Sequence, residues 1–389
     1  MSKNPELIFI HDGLIKPITA PEFRGSILIE GSKIKALGPE LEAPPAAEII
    51  EANGRLVLPG FIDAHCHVGI GEEIYRLEGD DINEMTDPLT PELRAIDGVN
   101  PEDEGFRDAR LGGVTTVFTV PGSANVIGGT GVVLKSIGKI VDKMILREPA
   151  GLKVAFGENP KAVYGEQKKM PMTRMGTAAL LRQALVDAQT YMEKLSLGED
   201  DPDKKPERDL GMENIIRVLN KEIPLRAHAH RTDDIITAIR IAREFEVDLV
   251  IEHCTEGHKI AQELAEFGYP CVVGPSLVNR AKVELKEKTF KTPGVLARAG
   301  VKVAIMTDHS VTPIEQLPLC AALAVRDGMD VEEALKAITI NPAEILGVSP
   351  RVGSLEPGKD ADIVIWSDHP FTLNGRPECV LINGRTVVD

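Results

Sequence analysis

No Cys-x-x-Cys pair occurs in this chain, and its five cysteines, Cys66, Cys254, Cys271, Cys320 and Cys379, are odd in number and widely spaced. That excludes a disulfide framework and leads us to expect reduced thiols in a cytoplasmic protein. No stretch approaches the roughly 20 apolar residues of a membrane span. The opening "MSKNPELIFIHDG" lacks the apolar centre of a secretory leader, because Pro5, Glu6, His11 and Asp12 interrupt it. Positive charge is short: 44 Lys and Arg stand against 60 Asp and Glu, a net charge of −16. Nucleic acid and anionic membranes are poor partners for such a chain, and a small-molecule substrate is the expected one. A homo-oligomer is compatible with the sequence, which does not specify one.

What is present is ample apolar material, 43% of 389 residues. Single cores stop growing near about 250–300 residues, so more than one compact unit is expected. The first part reads as short strands and turns. "GSILIEGSKIKALG" (25–38) is hairpin-like, and "AEIIEANGRLVLPG" (47–60) predicts a second hairpin turning at Asn53-Gly54. The middle alternates apolar runs with helical periods. Eight runs can be counted: "FIDAH", "VTTVFTV", the weaker "GVVL", "LKVAF", "IPLRAHA", "DLVIEH", "PCVVG" and "VKVAIMTD". Ile235, Ala238, Ile239, Ala242 and Phe245 follow a helical period, as do Ile260, Ala261, Leu264 and Phe267 before Gly268. No GxGxxG fingerprint follows the first run, which weighs against a dinucleotide fold. The alternation predicts an α/β protein, a (β/α)8 TIM barrel over residues 59–349. Capped helices at Asp330 and at Asn341-Pro342 follow, and strands return in "DADIVIW" and "CVLINGRTVVD". Residues 1–58 and 350–389 are expected to form one composite β-sandwich domain. The charged segment 196–211 reads as a solvated loop, and the acidic segment 71–88 as a flap or an interface.

The chemistry is concentrated at the ends of the runs. In "LPGFIDAHCHVG" (58–69), strand alternation sends His65 and His67 to one side and Cys66 to the other. In a barrel that side is the mouth, where two imidazoles can grip a divalent ion such as zinc. His228 closes the fifth run, His253 the sixth and Asp308 the eighth. One metal-type residue at each of four strand ends is what a barrel-mouth metal site requires.

These segments carry a family resemblance. "LPGFIDAHCH", "RAHAHR", "IEHCTEG", "IMTDHS" and the tail "NPAEILGVSPRVGSLEPGKDADIVIW" together resemble the imidazolonepropionase and prolidase-like branch of the amidohydrolase superfamily. The resemblance implies His65 and His67 on a first metal, His228 and His253 as fifth- and sixth-strand ligands, and Asp308 as a ligand that also moves protons. His230 is the rival of His228; by the family pattern it faces the substrate instead. His309 reads as a neighbour of the site or a loop residue. Two-metal members need a bridging anion, commonly a carboxylated lysine on the fourth strand. Lys153 stands there, with Glu158 as a rival oxygen ligand of opposite parity. Single-metal, deaminase-like members carry an acidic residue three positions after the fifth-strand histidine, where this chain has Arg231. The departure favours a two-metal hydrolase.

The expected reaction is hydrolysis of an amide-like C–N bond by a metal-activated hydroxide, dipeptidase- or cyclic-amidase-like, with one or two divalent ions, zinc first among them. A mononuclear deaminase or imidazolonepropionase-type ring hydrolase is the alternative. A non-catalytic scaffold is disfavoured because every expected ligand type is present. Tyr164, Arg174 and Lys161, past the fourth run, are either carboxylate-gripping groups or solvated charge. The glycine-rich 119–131 offers backbone N–H groups or simply turns.

Overall fold

The computed structural model describes residues 7–74 and 77–388; residues 1–6, 75–76 and 389 lie outside it, among them Tyr75 and Arg76 of the acidic segment 71–88. Both chain ends feed one eight-stranded sheet. The strands Leu7–Ile15, Phe23–Glu30 and Lys33–Gly38 run antiparallel in sequence, as do Ile363–Trp366, Pro377–Ile382 and Arg385–Val388. Leu56–Pro59 joins the two halves, parallel to Leu7–Ile15 and antiparallel to Ile363–Trp366. Alternating Ile8, Ile10, Ile27, Ile29, Ile363 and Leu381 give the sheet one apolar face, and these residues share a core. The pairings make one continuous sheet where a two-sheet sandwich was expected. It curls on itself, because Ile34 N donates to Lys359 O and Gly358 N to Ile34 O.

The predicted hairpin at 25–38 forms, turning at Gly31 in the left-handed region. The one at 47–60 does not. Glu48–Glu51 and Leu56–Pro59 both pair in parallel with Leu7–Ile15, and Asn53-Gly54 only redirects the chain between them. A distant strand supplied a better partner than the neighbour in sequence.

The rest is an α/β body. Phe61–Cys66 and Val114–Thr119 are parallel, and Leu152–Ala155, Leu225–Ala229, Leu249–His253, Cys271–Val273 and Val303–Ile305 form a second parallel series. The third run departs from expectation. Val132–Lys135 pairs antiparallel with Val114–Thr119, and Ile127–Thr130 pairs antiparallel with Leu152–Ala155. One reversed segment thus connects the second and fourth runs. On the far side, Asp308 N donates to His65 O and His67 N to His309 O, which brings the last strand to the first.

Helices pack outside. Ile235, Ala238, Ile239 and Ala242 of Thr232–Glu244 face strand residues Leu225, Ala227, Leu249 and Ile251 in one large core. The polar segment at 196–211 is less of a loop than expected: the helix Arg174–Asp200 runs into it, and Leu210–Leu219 starts at its end, capped by Asp209, whose carboxylate accepts from Met212 N. Asp330 caps its helix as read, accepting from Glu332 N and Glu333 N. Asn341 does not cap; its side chain donates to Val303 O and ties helix Ile340–Ile345 to the last body strand.

Candidate metal centre

Side chains from four strand ends meet at one mouth of the body. His65 lies within Phe61–Cys66 and His67 just past it; His228 lies near the end of Leu225–Ala229; His253 ends its strand; Asp308 follows Val303–Ile305. His65 Nε2 and His67 Nε2 lie 3.2 and 3.3 Å from Asp308 Oδ1. The rings of His65 and His253 are 5.3 Å apart, those of His228 and His253 4.2 Å, and those of His230 and His253 4.7 Å. His253 and Asp308 have left-handed backbone, φ 67° and 55°. That conformation is rare for residues with a Cβ and breaks strand alternation. It lets Glu252 and His253, neighbours in sequence, both reach the interior.

Three of the histidines are oriented from behind. His67 Nδ1 lies 2.7 Å from Val120 O, His253 Nδ1 2.9 Å from Gly274 O, and His230 Nδ1 2.7 Å from Thr255 Oγ1. These bonds fix which nitrogen faces the cavity, a usual device behind metal-binding imidazoles. His228 is different: neither ring nitrogen has a hydrogen-bond partner, although the residue is buried. Burial, then the neighbouring charges, holds its pKa well below the histidine range. Burial also lowers His253 and pulls His230 down to about 4. The three imidazoles are therefore neutral near pH 7, the form that binds cations. Burial works to raise the pKa of Asp308, but hydrogen bonds from His65 and His67 outweigh it and hold the carboxylate well below its ordinary value.

Two ligand sets emerge from this geometry, His228–His230–His253 and His65–His253–Asp308, each with its ligand atoms within 4.8 Å of one another. Lys153 lies beside them, Nζ 3.3 Å from His65 Nε2 and 3.3 Å from Glu252 Oε2. Its burial depresses its pKa, against the pull of Glu252. The donors present, neutral imidazoles with a carboxylate and orphaned buried nitrogens, suit a divalent ion of the zinc type.

The sequence did not point to three of the charged groups here. Arg226 donates from Nε to Glu252 Oε1 at 2.7 Å and stacks over Phe118, 4.4 Å from the ring centre. Glu252 Oε2 sits 2.8 Å from His65 Nδ1, out of line for a straight hydrogen bond. Burial would raise the pKa of Glu252, but His65, Arg226 and Lys153 outweigh it and keep the acid ionised. Glu284, from the loop after Cys271–Val273, reaches the histidines from above. Charged residues inside otherwise apolar strands, "PLRAHA" and "VIEH", were a legible signal for Arg226 and Glu252; Glu284 had none.

Other predicted residues fall elsewhere. Glu158 opens the helix Glu158–Glu166, and its amide, not its carboxylate, is engaged, donating to Glu284 Oε2. The strand stops at Ala155, and Gly157 with φ 83° redirects the chain. Tyr164 is buried away from the mouth, its hydroxyl 2.5 Å from Asn125 Oδ1 and 2.7 Å from Asp87 O. Arg174 pairs with Asp234 through Nε at 3.0 Å, and Arg231 with Asp233. His309 turns away from the mouth, accepting from Ile314 N, with Nε2 3.2 Å from Glu73 Oε1. His230, by contrast, is with the ligand set and also lines the cavity. That cavity holds about 380 Å³; its walls include Ile82, Val278, Leu285 and Val311, with Asn83, Ser123, Asn159 and Lys282 as polar groups.

Comparison with known proteins fits this arrangement. The model of the amidohydrolase family matches residues 183–387. The crystal structure of an amidohydrolase from Thermotoga maritima MSB8 superposes with a TM-score of 0.95, at 49% identity over 98% of this chain and 99% of that one. The chain is 29% identical to amidohydrolase tasK of Hapsidospora irregularis over 94% of its own length, but spans only 40% of that protein. It is 26% identical to an imidazolonepropionase of Acinetobacter baumannii, covering 93% of this chain and 94% of that one. The chain belongs to the amidohydrolase family, hydrolases that act on carbon–nitrogen bonds. Within it, the chain is imidazolonepropionase-like. Among the described residues, no helix is long and apolar enough to cross a membrane.

Proposed function

We propose that this protein is a metal-dependent hydrolase of an amide-like C–N bond in a small molecule, working with two divalent ions, zinc first, in the cytoplasm. The reading takes the body as the family's TIM barrel with its third position reversed. One observation supports it: two clusters of possible ligands, His228 with His230 and His253, and His65 with His67 around Asp308, open on one cavity. His65, His67 and Asp308 would hold one ion, and His228, His230 and His253 the other; Lys153, if carboxylated, would add an oxygen donor beside His65. A bound ion would acidify water and polarise a carbonyl.

The chain's own residues supply the rest. Asp308 takes a proton from the attacking water and delivers it to the leaving nitrogen. The backbone carbonyls of Val120 and Gly274 and the Thr255 hydroxyl hold His67, His253 and His230 in place. The apolar wall excludes bulk water and accepts an apolar substituent, while Lys282, held by Asn159 Oδ1, puts a cation within reach of a substrate carboxylate. Dipeptides, N-acyl amino acids and cyclic amides match this lining.

A single-ion, imidazolonepropionase-type ring hydrolase is the second reading. It is favoured by the ion pair of Lys153 with Glu252, which competes with carboxylation of the lysine. A hydrolysis screen with zinc and bicarbonate against dipeptides, N-acyl amino acids, cyclic ureas and ring imidazolones, alongside metal analysis, tests both. Close to two ions per chain and turnover of an amide support the first reading. One ion with turnover only of a ring imidazolone supports the second, and no turnover of any C–N substrate opposes both.

A further inference from the structure

We infer that Glu284 is a fourth ligand of the ion held by His228, His230 and His253. The inference deepens the two-ion reading and rests on it. Glu284 is nearly inaccessible, its side chain 1% exposed. One oxygen is engaged, since Oε2 accepts from Glu158 N at 3.0 Å, in the space that a Cβ on Gly157 would invade at 2.7 Å. The other is not: Oε1 has no hydrogen-bond partner. It faces His230 Nε2 at 3.6 Å and His228 Nε2 at 3.9 Å, and both nitrogens of His228 are orphaned as well.

Leaving a buried carboxylate oxygen and a buried imidazole unpaired costs several kcal/mol in general. A direct hydrogen bond does not resolve it, because 3.6 and 3.9 Å exceed normal donor–acceptor range. A shared ion does. Nitrogen and oxygen ligands at about 2.0–2.2 Å from a tetrahedral zinc lie about 3.4 Å from each other, close to both separations. The His230 and His253 rings already direct Nε2 toward this point through their Nδ1 contacts. Among the described residues, Lys282 is the cation that approaches Oε1. Its Nζ stands 4.0 Å from Oε1 and is committed to Asn159 Oδ1 at 2.6 Å. The latch also explains why a loop residue is buried so deeply: one oxygen anchors the loop to helix Glu158–Glu166, and the other is left for the ion.

The test uses the full chain, stripped by chelator and titrated with zinc in competition with a chromophoric chelator. X-ray absorption reports the ligands of the bound zinc. Glu284→Gln keeps the side-chain volume and an acceptor for Glu158 N. It is expected to weaken the zinc step that His228→Ala abolishes by at least about tenfold, to change the absorption edge, and to leave the metal-free melting temperature unchanged. Equal zinc affinity in wild type and Glu284→Gln overturns the role of Glu284 and leaves the proposed function standing; so does an equal affinity with a lowered metal-free melting temperature, which marks a loop anchor only. A wild type that takes up no zinc overturns both. Glu284→Asp, which keeps the charge but withdraws the oxygens by one methylene, carries the same expectation if the Gln variant does not fold.

Discussion

Two buried charged clusters in this molecule look alike by composition and behave differently. One lies at the seam between the curled sheet and the α/β body. There Lys135 meets Asp360 at 3.0 Å and also pairs with Asp362; Asp360 further binds Lys33 at 2.6 Å and Arg351 at 2.8 Å, and Asp362 Oδ1 accepts from Asn383 N. The other is the mouth, where both nitrogens of His228 and Oε1 of Glu284 lack a hydrogen-bond partner. The seam is a closed network, and its charges answer one another. In the mouth, His228 Nε2 and Glu284 Oε1 face one another at a distance too long for a hydrogen bond. Buried polarity that satisfies itself fastens the structure, whereas several unpaired ligand-type groups facing one another call for a further partner.

That contrast can be broken from either side. The largest effect is expected at the mouth. Asp308→Asn keeps the size of the side chain but cannot accept a proton, so turnover of whichever amide the screen identifies should fall by about 10²–10⁴-fold with the melting curve little changed. Near-normal turnover would remove Asp308 from proton transfer. At the seam the outcome should invert. Lys135→Met strands Asp362 Oδ2 in a buried site and is expected to cost about 3–5 kcal/mol of stability, read by urea unfolding, with the turnover of the folded fraction retained. A seam variant as stable as wild type would mean that these charges are not the fastening they resemble.

A smaller effect sharpens the same point outside both clusters. Glu256 accepts from Thr232 N at 3.0 Å and Thr232 Oγ1 at 2.8 Å, and pairs with Lys259. Burial would raise its pKa, but the Thr232 amide, Lys259 and the Thr232 hydroxyl outweigh burial and hold it at about 2. With the folded pKa below the unfolded one, this stabilisation is complete above about pH 4.5 and is lost as pH falls toward 2. Glu256→Gln should cost about 1.5–3 kcal/mol at neutral pH and flatten the acid limb of the stability curve. An unchanged acid limb would refute it.

Much of the mouth was legible because its chemistry sits on strands. Alternation put His65 and His67 on one side, and residues ending separate apolar runs, His228, His253 and Asp308, converged as strand ends do. The structure sets Lys153 beside His65 and Glu158 at a helix start for a local reason that the sequence only hinted at: the strand ends at Ala155, and Gly157 redirects the chain. The pairing of His230 with the ligand set was open in the sequence, because residues 228 and 230 share a parity. Glu252 was obscured by the same alternation rule, which the left-handed backbone of His253 suspends. Glu284 was invisible, since it lies in a polar segment without period and becomes buried only when a loop folds over a helix end. The reversed third run and the missing hairpin at Asn53-Gly54 share a cause: partner choice between strands is set by distant segments.

The central claim, that the groups converging at the mouth bind divalent ions, is tested most directly by melting the chelator-stripped protein with and without zinc. With free zinc at a hundred times its dissociation constant, the account predicts a stabilisation of about 2.7 kcal/mol for each site filled, present in Lys135→Met and lost site by site in His65→Ala and His228→Ala. Superimposable melting curves with and without zinc, in wild type and both histidine variants alike, would contradict it.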